Sequence, residues 1–207
     1  MVYNNFLLRL LVSTIFISIY CISIFINFQY VFYLIILIYI LIFLEIYNYF
    51  KKSKLFPLIY IFISFIFFFS IEFNKENFLY FNLFISTVIS FDVFSYIIGK
   101  LFGKNQLIKI SPNKTYEGLI GGILFSFAIS ILFSYVFNIQ ISIKLIIFIF
   151  IIIVSAFFGD IIQSFYKRKN NLKNSSEIIP GHGGLFDRFD SFIFSIIFYS
   201  ISISVLV

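Results

Sequence analysis

Charge is scarce in this chain. Asp, Glu, Lys and Arg make up 12% of its 207 residues, as nine acidic and fifteen basic groups. Its single cysteine, Cys21, lies in an apolar run, so no intrachain disulfide can form. With one histidine, His182, beside that one cysteine, a zinc site of the usual Cys/His kind is excluded. No Pro-, Ser- or Gly-rich linker separates domains, and no internal repeat is visible. The net charge of +6 has no soluble basic domain to carry it, so nucleic acid is not the expected partner. Basic residues in an apolar chain mark cytoplasmic loops instead.

What fills the chain is apolar surface. It is 61% hydrophobic with a mean hydropathy of +1.07, where soluble domains are roughly 45–50% apolar. That excess has no aqueous solution, so the expected partner is the membrane lipid bilayer. A spanning helix needs about 20 mostly apolar residues. Seven segments meet or approach this length: 8–28, 30–48, 55–72, 78–98, 118–137, 143–166 and 191–207. The third begins near Pro57 and is short; the last is close to the lower limit. The expectation is an all-α, polytopic integral membrane protein of about seven transmembrane helices. The first apolar run follows Arg9 without a small-residue cleavage site, so it is expected to stay as an anchor. Residues 1–90 are polar-poor; 91–207 carry the chemistry.

Counting the basic residues orients the chain. With a cytoplasmic N-terminus, thirteen lie inside: Arg9, Lys51, Lys52, Lys54, Lys100, Lys104, Lys109, Lys114, Lys167, Arg168, Lys169, Lys173 and Arg188. Only two, Lys75 and Lys144, lie outside. This bias sets topology. It places both long polar loops, 99–117 and 167–190, at the cytoplasmic face and the C-terminus outside.

The polar residues are concentrated. The 27 residues from Ser164 to Asp190 hold Lys167, Arg168, Lys169, Lys173, His182, Asp187, Arg188 and Asp190, with Glu177 besides. Pro180, Gly181, Gly183 and Gly184 surround His182, a backbone able to offer N–H groups to phosphate oxygens. Asp187 and Asp190 would be neighbours if helical, and hard oxygen ligands suit Mg²⁺. Asp92 and Asp160 sit inside helices near their cytoplasmic ends, where a carboxylate is costly. Asp160, Ser164, Lys167 and Arg168 share one helical face, and Asp92, Tyr96, Gly99 and Lys100 repeat that geometry. The bland alternative is that Asp92 and Asp160 pair with basic residues and only steady the bundle. In the loop 99–117, Thr115 is placed to cap the fifth helix, with Lys114 adding a cation. Gly118, Gly121 and Gly122 permit close approach of a helix or a ligand.

These residues resemble the phosphatidate cytidylyltransferase (CDP-diacylglycerol synthase) family. The family's C-terminal pattern appears as Ser164, Lys167-Arg168, Lys173-Asn174, His182-Gly183-Gly184 and Asp187-Arg188-Phe189-Asp190, preceded by Gly159-Asp160. Its earlier pattern appears as Asp92, Gly99-Lys100 and Ser111 to Gly118. The resemblance is colinear over about 92–190, and a pattern this long is highly specific. One position departs: Asn174 stands where the family usually has Asp.

The resemblance implies transfer of CMP from CTP to phosphatidate, giving CDP-diacylglycerol and pyrophosphate. It implies Mg²⁺ as cofactor, held by Asp160 and Asp187. Lys167, Arg168, Lys173, His182, Arg188 and Asp190 are the implied catalytic set. Ser164, Lys114, Thr115, Gly183 and Gly184 are the implied substrate contacts. CTP, phosphatidate and the bilayer are the implied partners, and a homodimer is compatible with it. The implied location is a bacterial inner (plasma) membrane, multi-pass, with the site facing the cytoplasm. The competing readings are a related CTP-dependent enzyme acting on another lipid, a polar-substrate transporter, and a catalytically silent scaffold, which Asn174 permits.

Overall fold

The computed structural model describes residues 2–108, 111–179 and 183–206. Among these are seven helices: α1 (Val2–Ile26), α2 (Gln29–Tyr49), α3 (Leu55–Phe69), α4 (Lys75–Phe102), α5 (Tyr116–Val136), α6 (Ile143–Lys169) and α7 (Asp190–Leu206). Every expected span has its helix, and the third is short, with 15 residues. Of the described residues, α2, α4, α5 and α6 are long and apolar enough to cross a membrane. The chain is an all-α membrane protein.

One element was not anticipated. Two short strands, β1 (Gln106–Ile108) and β2 (Ser111–Thr115), pair antiparallel, with Gln106 opposite Thr115 and Ile108 opposite Ser111. Strands of three and five residues are too short to show an alternating pattern, and Pro112 argues against one. The hairpin's second strand runs directly into α5, so it sets where that helix begins.

The chain forms two compact units. One comprises Met1–Phe65 and Tyr166–Phe189; the other comprises Ile66–Phe165 and Asp190–Val207. The second unit is built on α4 and α5. Lipid offers no hydrophobic reason for helices to associate, so close packing and interhelical hydrogen bonds must hold them. Glycines supply the closeness. A Cβ at Gly118 would lie 2.7 Å from the Ser95 carbonyl oxygen, and one at Gly121 would collide with Ile98. Gly122 faces Ser95 and Phe91 in the same way. These glycines therefore serve helix packing. Deeper along the pair, Thr87 and Ser130 hydroxyls hydrogen-bond at 2.7 Å, both fully buried. Aromatic rings and aliphatic side chains such as Leu83, Ile149 and Ile152 fill the rest of the unit. Tyr199 of α7 packs on Phe84 with ring centroids 4.8 Å apart, and its hydroxyl donates to the Asn77 carbonyl at 3.1 Å.

The helix ends are locally specified. Asn74 caps α4 by accepting from the Asn77 N–H at 2.8 Å, with Glu76 in the first turn and Lys100 in the last, both signs suited to the helix dipole. Thr115 caps α5, as expected: its Oγ1 accepts from the Gly118 N–H at 3.1 Å. Thr115→Ala is expected to lower stability by about 1 kcal/mol, the usual loss for a removed cap. Thermal unfolding in detergent measures it; an unchanged midpoint would show that the hairpin alone holds the start of α5.

In the first unit, Asn170 ties the end of α6 to the α2–α3 connection. Its Oδ1 accepts from the Lys52 and Ser53 N–H groups at 3.1 and 2.9 Å, and its Nδ2 donates to the Tyr166 carbonyl at 3.0 Å. Buried polar groups need such partners. Here one amide supplies them to a turn with no secondary structure of its own.

Candidate active site

Two polar clusters form, one in each unit. The second unit holds Asp160 on α6, Lys114 on β2, Asp92 on α4 and Ser191 on α7. The Lys114 ammonium pairs with the Asp160 carboxylate, and it lies 5.4 Å from the Phe157 ring centroid. Asp92 accepts from the Ser191 hydroxyl at 2.8 Å and lies within electrostatic reach of both Asp160 and Lys114. Gly159 lets α7 approach α6 beside this pair: a Cβ there would sit 2.7 Å from the Asp190 carbonyl oxygen. The hairpin and the Thr115 cap bring Lys114 to Asp160, a partnership that no spacing in the chain reveals. The ion pair also agrees with the bland reading of Asp160. The two side chains are 20% and 30% exposed, so the pair is only partly covered by the rest of the protein.

The first unit holds the second cluster. Lys167, near the end of α6, donates to Asp187 Oδ1 at 2.7 Å, with side-chain exposures of 14% and 9%. The other carboxylate oxygen accepts from the Ser175 N–H at 2.8 Å and the Gly184 N–H at 3.2 Å. Burial acts to raise the Asp187 carboxyl, but the Lys167 ammonium and the two backbone donors outweigh it and hold the group below the ordinary carboxylate range. One side chain thus gathers the start and the end of the loop. Gly183 supports the closure: at φ 84° it occupies the left-handed region that favours glycine, and its carbonyl accepts from the Ile179 N–H at 2.8 Å.

The remaining expected residues take distinct places. Arg168, Lys173 and Arg188 are exposed, with an Arg168 Nη1 donating to the Leu172 carbonyl at 3.2 Å. Ser164 is buried on α6. Asp187 lies in a turn and Asp190 opens α7, so the helical condition for pairing them is not met. Asp160 and Asp187 belong to different units, and each has its own local partners. His182, with Pro180 and Gly181, lies outside the described residues. Lys100 reaches back over the Tyr96 ring at 6.0 Å, one face of α4 as expected.

Among the described residues, no group of three or more His, Cys, Asp or Glu comes together to hold a metal. Mg²⁺ does not require one, since it binds through one or two carboxylates plus phosphates and water. The donors fit it unequally. Asp160 is the more exposed, with an oxygen set of the right hardness. Asp187 already has donors on both oxygens. Sequence reasoning passed over Glu45, a carboxylate in α2 that is 1% exposed and accepts from the Phe186 N–H at 3.1 Å. Its signal was the same as that of Asp92 and Asp160: an acid alone in an apolar span.

These features define an all-α membrane protein with a polar cluster in each of its two units. The sequence profile of the cytidylyltransferase family matches residues 6–206, and the chain belongs to that family. It is 43% identical over 111 residues to phosphatidate cytidylyltransferase 4, chloroplastic, of Arabidopsis thaliana, covering 53% of this chain and 28% of that protein. It is 42% identical over 106 residues to the phosphatidate cytidylyltransferase of Staphylococcus haemolyticus, covering 50% and 40%. Against the enzyme of that name from Staphylococcus aureus strain COL it is 38% identical over 138 residues, covering 65% and 52%. The matched segments thus take in between about a quarter and half of the length of these relatives.

Proposed function

We propose that the chain transfers CMP from CTP to phosphatidate, giving CDP-diacylglycerol and pyrophosphate for phospholipid biosynthesis. One observation carries this reading: Asp187 closes the loop after α6 on Lys167 and leaves Arg168, Lys173 and Arg188 exposed at its surface. The named relatives support the choice of substrates.

The chemistry is a nucleotidyl transfer. A phosphate oxygen of the lipid bonds to the α-phosphorus of CTP, and the bond from that phosphorus to the bridging oxygen breaks. The electron pair leaves with pyrophosphate. A phosphomonoester is largely dianionic at neutral pH, its second pKa being about 6, so no strong general base is needed. The difficulty is bringing two anions together. Arg168, Lys173 and Arg188 meet it by neutralising phosphate oxygens, and Lys167 is kept in place by Asp187. Lys114, paired with Asp160, can turn to an incoming phosphate. Asp160 is the residue we assign first to Mg²⁺, with Asp187 second; the bound ion would stabilise negative charge on the transferring and leaving phosphates. His182, Ser164 and Asp190 complete the proposed set by positioning substrate.

The test is labelled CTP with phosphatidate vesicles, with and without Mg²⁺. Labelled CDP-diacylglycerol is expected only with both lipid and metal. Product with an isoprenoid-linked phosphate and none with phosphatidate would replace the substrate assignment.

Asn174 bears on the silent-scaffold reading. A Cβ built on Gly183 would lie 2.8 Å from Asp187 Oδ2 and 3.4 Å from Asn174 Cβ, so the three residues are neighbours. A carboxylate at position 174 would add negative charge near Asp187, and an amide there avoids it. Because Lys167 and two backbone N–H groups already hold Asp187, that added charge in Asn174→Asp is expected to change kcat/KM by less than about 10-fold, about 1.4 kcal/mol. An inert natural chain made active by that substitution would favour the scaffold.

The thirteen-to-two distribution of basic residues supports a cytoplasmic site, where CTP is available, and the bacterial relatives support a plasma membrane. In a Cys21→Ser background, Gln140→Cys should react with an impermeant maleimide in intact cells. Lys51→Cys should react only after permeabilisation. The opposite pattern would invert the topology.

A further inference from the structure

We propose that Glu45 is a positioning residue, whose carboxylate clamps the Gly184–Phe186 segment to α2 and so fixes the place of Asp187. The proposal rests on the reading of Asp187 given above. Glu45 is 1% exposed, and no described cation forms an ion pair with it. A buried carboxylate without a cation needs another reason to be there. Its Oε2 accepts from the Phe186 N–H at 3.1 Å, linking residues 141 positions apart. Phe186 is fully buried, and its ring meets Phe50 edge-on at 5.9 Å.

The other oxygen, Oε1, faces Gly184. A Cβ built on Gly184 would collide with Glu45 Oε1 and Ser175 Oγ, and would come within 2.6 Å of Ser176 Oγ. Gly184 is thus held on two sides. Its N–H donates to Asp187 Oδ2 at 3.2 Å, while its α-carbon rests against Glu45. Phe186, the residue before Asp187, is bonded to the same carboxylate. Asp187 therefore reaches Lys167 from a backbone fixed by α2.

Geometry, not charge, is the proposed requirement. Glu45 Oε1 and Ser175 Oγ are both buried and each lacks a hydrogen-bond partner. A glutamine could accept the Phe186 N–H through its oxygen and donate its amide hydrogens to a serine hydroxyl. Glu45→Gln should then work nearly as well as Glu45. A residue needed as a proton acceptor or cation ligand would not survive that change.

The test compares Glu45→Gln and Glu45→Ala in the full chain, purified in lipid nanodiscs. Glu45→Ala is expected to lower kcat by about 30-fold or more with KM for CTP within about 3-fold, and Glu45→Gln to stay within about 3-fold of the natural chain in both. Hydrogen exchange gives a readout independent of turnover. In Glu45→Ala the peptide covering 175–189 should exchange about 10-fold faster or more, while α4 and α5 peptides stay unchanged; Glu45→Gln should restore protection. If the natural chain makes no CDP-diacylglycerol, the proposed reaction fails, and the exchange result still decides the clamp. Three outcomes overturn the clamp: natural-chain exchange in Glu45→Ala, Glu45→Gln as impaired as Glu45→Ala, or faster exchange throughout the protein.

Discussion

Asp160→Ala is expected to lower turnover at saturating Mg²⁺ by roughly 10³-fold, the several kcal/mol that metal-held charge stabilisation supplies. The fold should survive. Among the described residues the carboxylate forms an ion pair with Lys114, the two side chains being 30% and 20% exposed, so its loss removes one part-buried ion pair. Packing beside it depends on Gly159 against the Asp190 carbonyl, which the substitution leaves intact. Two companions separate metal binding from simple pairing. Lys114→Ala removes the same ion pair but leaves the carboxylate, so it should retain the Mg²⁺ dependence of the natural chain. Asp92→Ala should cost less than Asp160→Ala, because Asp92 is engaged with the Ser191 hydroxyl. Initial rates against Mg²⁺ concentration measure all three. Near-normal rates for Asp160→Ala, or equal losses for Asp160→Ala and Lys114→Ala with one Mg²⁺ profile, would reduce Asp160 to a bundle ion pair.

Asp187→Ala is expected to have a comparable effect on turnover and a larger one on the loop. It strips acceptors from Lys167, from the Ser175 N–H and from the Gly184 N–H together. A buried donor left without a partner costs about 1–3 kcal/mol, and more when charged. Asp187→Asn should be intermediate for loop order, since an amide oxygen can still take the backbone donors but cannot neutralise the ammonium. The pH dependence has a definite sign. The folded-state carboxyl is held below the ordinary range, and an unfolded Asp titrates at about 3.9. The stabilisation is therefore fully present above that value and is lost as pH falls through the lower folded value. Hydrogen exchange of the loop, corrected for intrinsic rates, should be flat from about pH 8 down to about pH 5. Loop opening within that window would mean that Asp187 is not held as its neighbours indicate.

Much of this molecule was legible in the chain itself. Apolar runs at or approaching membrane length marked all seven helices, most of them to within a few residues, because in lipid a spanning segment can satisfy its backbone only as a helix or a closed barrel. The cap at Thr115 was legible because it is a local bond over three residues. Asp92 and Asp160 stood out because a carboxylate in an apolar span is costly enough to need a reason. The tertiary structure decided partners, which no local pattern encodes. It gave Asp160 to Lys114 across 46 residues and Asp187 to Lys167 and two backbone N–H groups. It placed Asp187 in a turn and Asp190 at the start of α7, where spacing alone had allowed a helical pair. It also brought Glu45, which lies outside the recognisable motif, to Gly184 and Phe186. Helical periodicity is a property of neighbours in sequence. Ion pairs and buried hydrogen bonds between distant residues arise only when packing brings their elements together and removes the water that would otherwise satisfy them.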